Sequence, residues 1–161
     1  MSHHYAKYSP ADFDNYDCLK ISKGIYLLIA FVLRGYFVWL MSVTNMNDRV
    51  ATIKWIYPEP NLFYLSLFSG GGGLFVLLLL SLRRPEASLW VRKSWQNLRV
   101  ILICSLAFDL MVNIAGYFYW QLQSALWLYV NVFIVLAFAA FLFSSKRIQI
   151  NIGEFPEKLP E

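Results

Sequence analysis

Two ionisable residues, Arg34 and Asp109, each lie near the middle of an uninterrupted apolar segment of this 161-residue chain. A charge inside an apolar, membrane-like segment is costly and is retained where it has a partner or a function. A guanidinium and a carboxylate can bind each other through two parallel hydrogen bonds. Buried ionisable groups also mark proton and ion pathways. The two residues therefore predict either an ion pair that joins two helices or part of a transport path.

Further polar residues accompany the aspartate. Ser105, Asp109, Asn113 and Gly116 recur at i, i+4, i+8 and i+11, which is one continuous face of a helix. Asn131 lies in the next apolar segment at a depth close to that of Asn113, and the short turn between the segments makes them antiparallel neighbours. We expect these two amides to pair. The candidate intramembrane polar centre comprises Arg34, Ser105, Asp109, Asn113 and Asn131.

Small residues mark a second feature, in the apolar segment that contains four consecutive glycines. Ser66, Ser69, Gly70 and Gly73 form overlapping small-xxx-small pairs, which let helix backbones approach closely in a membrane. We therefore predict Gly70 and Gly73 as helix-contact glycines. Four glycines in a row could also loosen the helix and expose its carbonyl groups to the polar centre.

Two interpretations of the polar residues remain open. In the first, they are interhelical contacts, each stabilising the bundle by roughly 0.5–2 kcal/mol. In the second, Arg34 and Asp109 form a proton or ion relay. The first is favoured because one ion pair supplies few groups for a relay and four short spans enclose little space.

The elements that must position these residues are membrane spans. The chain is 58% hydrophobic, above the usual 45–50% of soluble domains. Crossing about 30 Å of hydrocarbon takes about 20 helical residues, and backbone groups in lipid must be satisfied within a helix. The predicted fold is all-α, an integral membrane four-helix bundle with tails at residues 1–23 and 146–161. The predicted spans of the transmembrane domain (24–145) are 24–44, 61–82, 100–120 and 125–145.

The depth of the two charges follows from the helical rise. At 1.5 Å per residue, Arg34 lies about 15 Å from the start of span one. Asp109 lies roughly 13–14 Å into span three from the same side. The shared level predicts an ion pair between the first and third spans.

The distribution of basic residues predicts the orientation. The first tail has three Lys or Arg residues, the connection between spans two and three has five, and the last tail has three. The connection between spans one and two has two, Arg49 and Lys54, and the turn at 121–124 has none. Basic residues concentrate on the cytoplasmic side, so eleven against two places both termini in the cytoplasm.

Three shorter segments also carry patterns. Between spans two and three, Trp90, Val91, Trp95 and Leu98 share one helical face. This favours either a helix lying in the membrane surface or a cytoplasmic extension of span three. Near the start of the chain, Ser9 followed by proline predicts a short helix over Pro10–Asp17. Residues 148–152 alternate like a short strand, and the end of the chain is expected to be mobile.

Several short motifs carry a family resemblance. They are Tyr16-Asp17-Cys18-Leu19-Lys20, Leu33-Arg34, and Tyr57-Pro58 followed by Asn61, Phe63, Tyr64 and the glycines. Together they resemble the YfeZ-like family of small uncharacterised bacterial inner-membrane proteins, over the chain up to about Pro85. The resemblance implies a location in the bacterial inner membrane and a multi-pass topology. It implies no catalytic or binding residue.

The expected function is non-enzymatic. Cys18 and Cys104 form no CxxC motif, and the sequence shows no metal-ligand cluster, phosphate loop or nucleophile motif. We therefore expect no catalytic residue, no cofactor, no metal and no nucleic-acid partner. The expected partners are the lipid bilayer and another membrane protein or a second copy of the chain. The favoured role is an accessory, scaffold or regulatory subunit; the alternative is a small transporter or channel subunit that uses Arg34 and Asp109.

Overall fold

The computed structural model describes residues 8–14, 16–45, 48, 50–57, 59–120 and 125–157. These residues fold almost entirely into helices, and within them the only β pairing is an isolated bridge between Phe13 and Leu19. The all-α prediction is confirmed. The elements are a 3-10 helix at Pro10–Asp12, α1 (Lys23–Val32), α2 (Arg34–Thr44), α3 (Ala51–Ile56), α4 (Pro60–Ser81), α5 (Leu89–Gln96), α6 (Leu98–Trp120), α7 (Ala125–Ser144) and α8 (Lys146–Gly153).

Three helices, α4, α6 and α7, are long and apolar enough to cross a membrane. The pair α1 and α2 passes the same test together but is bent by 63° at Leu33. The described residues therefore contain three helices that could span a membrane, or four segments if the bent pair is one span. The span predicted over residues 24–44 therefore consists of two helices, because the chain turns at Leu33 before α2 begins.

The position of the bend follows from packing rather than from helix propensity. Gly35 packs against Ser66 so closely that a Cβ atom built on Gly35 would lie 2.6 Å from Ser66 Oγ and 3.3 Å from the Ser66 backbone. The missing side chain lets the start of α2 lie directly against α4. The bend also places Arg34 at the first position of α2, facing α6.

The bundle is centred on α4 and α6, which pack against each other along their length. The helices α1 and α2 pack on α4, and α7 packs on α6. In the most apolar part of each helix, 44% of α4 and 39% of α6 is buried inside the protein, compared with 17% of α7. The helix α7 therefore lies at the periphery. The run of four glycines does not loosen α4, which continues unbroken from Pro60 to Ser81.

One end of the bundle is closed by a cap, which we define as residues 8–14 and 16–22, α5 and α8. The helix α5 is separate from α6, with Asn97 between them. Val91 and Trp95, on its apolar face, are 1% and 0% exposed and belong to the hydrophobic core. That face packs against the protein and Asn97 interrupts the helix, so α5 is not a simple extension of span three.

The two other short predictions at this end are also corrected. The expected strand at residues 148–152 is part of the helix α8, whose buried face carries Ile148 and Asn151. The expected N-terminal helix is reduced to the 3-10 turn at Pro10–Asp12, which does have the Ser9 capping box. It ends there because Asp14 accepts the backbone N–H groups of residues 16 and 18 in a tight turn.

Candidate functional site

The polar centre is built around one ion pair. Nη2 of Arg34 lies 3.0 Å from Oδ2 of Asp109. The guanidinium also lies over the ring of Phe31, at 4.6 Å from its centroid. The side chain of Asp109 is 3% exposed and that of Arg34 is 25% exposed. The carboxylate is thus enclosed, and the guanidinium reaches it from the edge of the bundle. The sequence predicted that Arg34 and Asp109 lie at a similar depth, and in the structure their side chains are in contact.

Asp109 accepts hydrogen bonds from two other side chains as well. The Ser69 hydroxyl, on α4, donates to Oδ1 at 3.3 Å. The Asn113 amide donates to Oδ2 at 3.4 Å and to the Asp109 backbone carbonyl at 2.7 Å. A buried carboxylate needs such partners because an unsatisfied charge in an apolar interior is costly. Asp109 therefore connects three helices, α2, α4 and α6.

A second polar contact lies beside the ion pair. The hydroxyl groups of Tyr57 and Ser66 are 2.8 Å apart. Between this contact and the ion pair is a cavity of about 10 Å³, which is the space of a single water molecule at most. Sequence reasoning missed Tyr57, and it treated Ser66 and Ser69 only as small residues. The signal available was that their hydroxyls lie in an otherwise apolar helix, where such groups need a partner.

Two predicted members of the polar centre lie elsewhere. The Ser105 hydroxyl donates to the carbonyl of Ile101 at 2.9 Å, within its own helix, and it packs against Gly72. The predicted pairing of Asn113 with Asn131 is wrong, because Asn113 uses its amide on Asp109. Asn131 is 4% exposed, and its Oδ1 has no hydrogen-bond partner among the described residues.

The two predicted glycines do lie at close helix contacts. A Cβ atom on Gly70 would lie 2.7 Å from the Tyr36 ring and 3.3 Å from the carbonyl oxygen of Val32. On Gly73 it would lie 3.1–3.2 Å from Leu33 and Val32 side-chain atoms. Their neighbour Gly71 has nothing within 4 Å of such an atom. Gly70 and Gly73 therefore form the face of α4 against which the bent pair α1 and α2 packs.

A second polar cluster, which sequence reasoning did not find, holds the cap together. Asn151 is fully buried; it donates to the carbonyl of Leu19 at 2.8 Å and accepts the N–H of Ser22 at 3.1 Å. Its own carbonyl accepts the indole N–H of Trp95 at 2.9 Å. Glu154 accepts the N–H of Leu19 at 2.8 Å. One residue of α8 thus joins the N-terminal segment to α5.

Two arginines extend the same cluster. Arg83 lies 3.7 Å from Asp14, and its guanidinium stacks over the Trp95 ring at 4.9 Å. Its side chain is only 5% exposed. Arg147 lies 3.5 Å from Asp12. These charges were counted in the sequence only for orientation, since their partners are distant in the chain.

The cap also encloses a thiol. Cys18 is 6% exposed, and burial raises the pKa of its thiol, an effect that the nearby Arg83 guanidinium partly opposes. A raised pKa keeps the group a neutral thiol near pH 7. Cys18 is therefore a buried packing residue.

The helices and polar contacts describe a small helical protein with several segments that could span a membrane. Residues 8–153 match the family model described as "Protein of unknown function (DUF2919)". The chain therefore belongs to the DUF2919 family. No curated protein and no solved structure matches it.

Proposed function

We propose that this protein is a small multi-pass protein of the bacterial inner membrane that acts without catalysis, as an accessory, scaffold or regulatory subunit of a membrane assembly. The observation that carries the proposal is the way the polar centre is used. Its ion pair, the Ser69 hydroxyl and the Asn113 amide are all engaged with one another across three helices. The cavity beside these groups is only about 10 Å³, so they stabilise the bundle by binding each other and leave no room for a substrate between them.

The outer surface supports a role in assembly. The peripheral helix α7 exposes large apolar side chains along its length, among them Phe133 at 73% and Leu136 at 62%. In a membrane such a surface contacts lipid or the helix of another subunit. Both termini are proposed to be cytoplasmic, on the strength of the eleven-to-two distribution of basic residues. That orientation puts the cap and its charged residues on the cytoplasmic side.

Purification from native membranes in a mild detergent tests the proposal. The tagged chain should copurify with a different membrane protein, and the two should be present at a fixed ratio. The test variant carries Phe133→Ser and Leu136→Ser, which change the exposed face of α7 and leave the polar centre intact. This variant should fold and should no longer copurify with the partner. A chain that purifies alone under several mild detergents would contradict the proposal.

Topology has its own test. A C-terminal fusion to an enzyme that is active only in the periplasm should be silent, and a cytoplasmic reporter at the same place should be active. The opposite result would invert the proposed orientation.

A transporter or channel subunit is the second candidate, and one observation favours it. The first apolar segment is broken beside Arg34, and discontinuous helices line ion sites in several transporter folds. Liposomes loaded with a pH-sensitive dye distinguish the candidates. A transporter would dissipate an imposed proton gradient and lose that activity in the double variant Arg34→Leu, Asp109→Leu. A scaffold would leave the gradient unchanged in both forms.

A further inference from the structure

A cavity of about 840 Å³ opens in the cap, at the level where α1 begins and α4 ends. Four cationic side chains line it, and so do two carboxylates. Its position is distinct from the polar centre, which lies deeper in the bundle. The lining cations are Lys20, Lys23, Arg83 and Arg147.

The charges of the cavity do not balance. Asp14 is paired with Arg83, and Asp12 with Arg147. The Lys20 ammonium donates to the uncharged carbonyl of Ala11 at 2.7 Å. The Lys23 ammonium has no ion-pair or hydrogen-bond partner among the described residues, and Lys23 is exposed. Among the side chains that line the cavity, two positive charges therefore have no carboxylate partner, around a space large enough for a small ligand.

The backbone adds to this positive potential. Ser22 and Lys23 stand at the N-terminus of α1 and line the cavity. The ten residues of α1 direct the positive end of their summed peptide dipoles toward that point. Helix N-termini of this kind favour phosphate. Together with the two uncompensated lysines, the geometry specifies an anion of one to two negative charges.

An apolar surface leads away from the cavity along the same helix. Tyr26, which lines the cavity, and Leu27 lie three and four residues after Lys23, on the same face of α1. They are 50% and 63% exposed. An anion that also carries hydrocarbon chains would place its head among the lysines and its chains along this face.

We propose that the cap cavity binds the phosphate group of an anionic phospholipid, with Lys20 and Lys23 as the principal contacts and acyl chains along Tyr26 and Leu27. Binding there would fix the cap to the membrane surface at one leaflet. This inference concerns lipid recognition and does not depend on the proposed accessory role.

The test uses the purified full-length chain in a neutral detergent. Dioctanoyl phosphatidylglycerol, dioctanoyl phosphatidylcholine and inorganic phosphate are each titrated while the midpoint of thermal unfolding is recorded. We expect phosphatidylglycerol to raise the midpoint in a saturable way, and the other two to leave it nearly unchanged at equal concentration. Equal effects of the two lipids would overturn a charge-selective site. An equal effect of inorganic phosphate would show that the ligand is the free ion and would overturn the lipid assignment.

Two double variants of equal net charge test whether phosphatidylglycerol binds at the cavity or at any basic surface. Lys20→Gln with Lys23→Gln should weaken phosphatidylglycerol binding about 10- to 30-fold, since each basic side chain near an anionic headgroup contributes appreciably to binding. The control is Lys93→Gln with Lys146→Gln, two exposed lysines at the same end outside the cavity, with an expected loss below about 2-fold. Equal losses in both variants would mean a general surface attraction and would overturn the site. Should the first double variant fail to fold, Lys23→Gln alone repeats the test, with a loss of about 5-fold expected.

Discussion

The polar centre and the cap hold helices together by different means. In the polar centre, charged and polar side chains bind other side chains, and Asp109 accepts from three of them. In the cap, one amide side chain binds the backbone of a segment with little helical structure, as Asn151 does with Leu19 and Ser22. The difference follows from the local backbone. Spanning helices satisfy their own backbone groups, so their polar side chains must find one another, whereas an irregular segment offers free backbone groups.

The largest effect is expected from separating the ion pair. Arg34→Leu leaves the enclosed Asp109 carboxylate unpaired and should lower the free energy of unfolding by ~3–5 kcal/mol. Asp109→Leu should cost less, because the Arg34 side chain is 25% exposed and keeps its contact with Phe31. The double variant should recover much of the loss. Denaturant unfolding in mixed micelles measures all three.

The outcome decides whether the polar centre is one coupled unit. Losses that simply add in the double variant would show that Arg34 and Asp109 act independently. The comparison with the cap would then lose its basis, because the centre would no longer depend on side-chain pairing.

The next effect is expected in the cap. Asn151→Leu removes the partner of the Leu19 carbonyl and of the Ser22 N–H, and a buried polar group left unsatisfied costs about 1–3 kcal/mol. We expect a loss of roughly 2–4 kcal/mol and faster protease cleavage within residues 8–22. Gln149→Leu, on the exposed face of the same helix, should cost below about 1 kcal/mol. Equal losses would show that the side-chain hydrogen bonds of Asn151 contribute little to holding the cap.

A smaller effect is expected from the glycines of α4. Gly70→Leu and Gly73→Leu force a side chain against α1 and α2 and should each destabilise by about 1–3 kcal/mol. Gly71→Leu is the matched control, with nothing within 4 Å of its added Cβ atom, and it should be neutral or stabilising. Thermal unfolding in detergent measures the difference. A destabilisation shared by all three would indicate a requirement for glycine flexibility instead of close packing.

The smallest effect is a chemical one in the cap. With Cys104→Ser, Cys18 is the remaining cysteine, and burial raises the pKa of its thiol. The thiolate is the reactive form. Labelling of the folded chain with iodoacetamide at pH 7 should therefore be slow, and its rate should level off at a higher pH than that of an ordinary exposed thiol. Asn151→Leu should accelerate it by opening the cap. Fast labelling that levels off near pH 8 would contradict an enclosed thiol.

The sequence predicted the parts of this structure that depend on long apolar segments. The helices α4, α6 and α7 and the meeting of Arg34 with Asp109 follow from hydropathy and from the rise per residue. The bend at Leu33 could not be predicted in this way. The local sequence contains no proline, and the turn is favoured by contacts between Gly35 and Ser66 that are distant in the chain.

The cap was missed for a related reason. Over five residues, Ile148, Ile150 and Ile152 alternate as in a strand. Ile148, Asn151 and Ile152 share one face of a helix, and only packing on α5 decides between the two structures. The partners of Asn151 are backbone groups more than a hundred residues away. Backbone groups are the same in every residue, so the sequence carries no mark of them. Asn131 was misassigned because Asn113 could bind either of two neighbours.

The bend at Leu33 has a consequence for the surrounding lipid. The helices α1 and α2 contain ten and eleven residues, which as one straight helix would extend about 31 Å. With α1 along the membrane normal, the 63° bend shortens the reach of the pair to about 22 Å. This reach is shorter than the hydrocarbon core of a bilayer, which is about 30 Å thick. A bilayer adapts to a short segment by becoming thinner beside it. Counted as one span, the bent pair should therefore be accompanied by a local thinning of one leaflet next to α2.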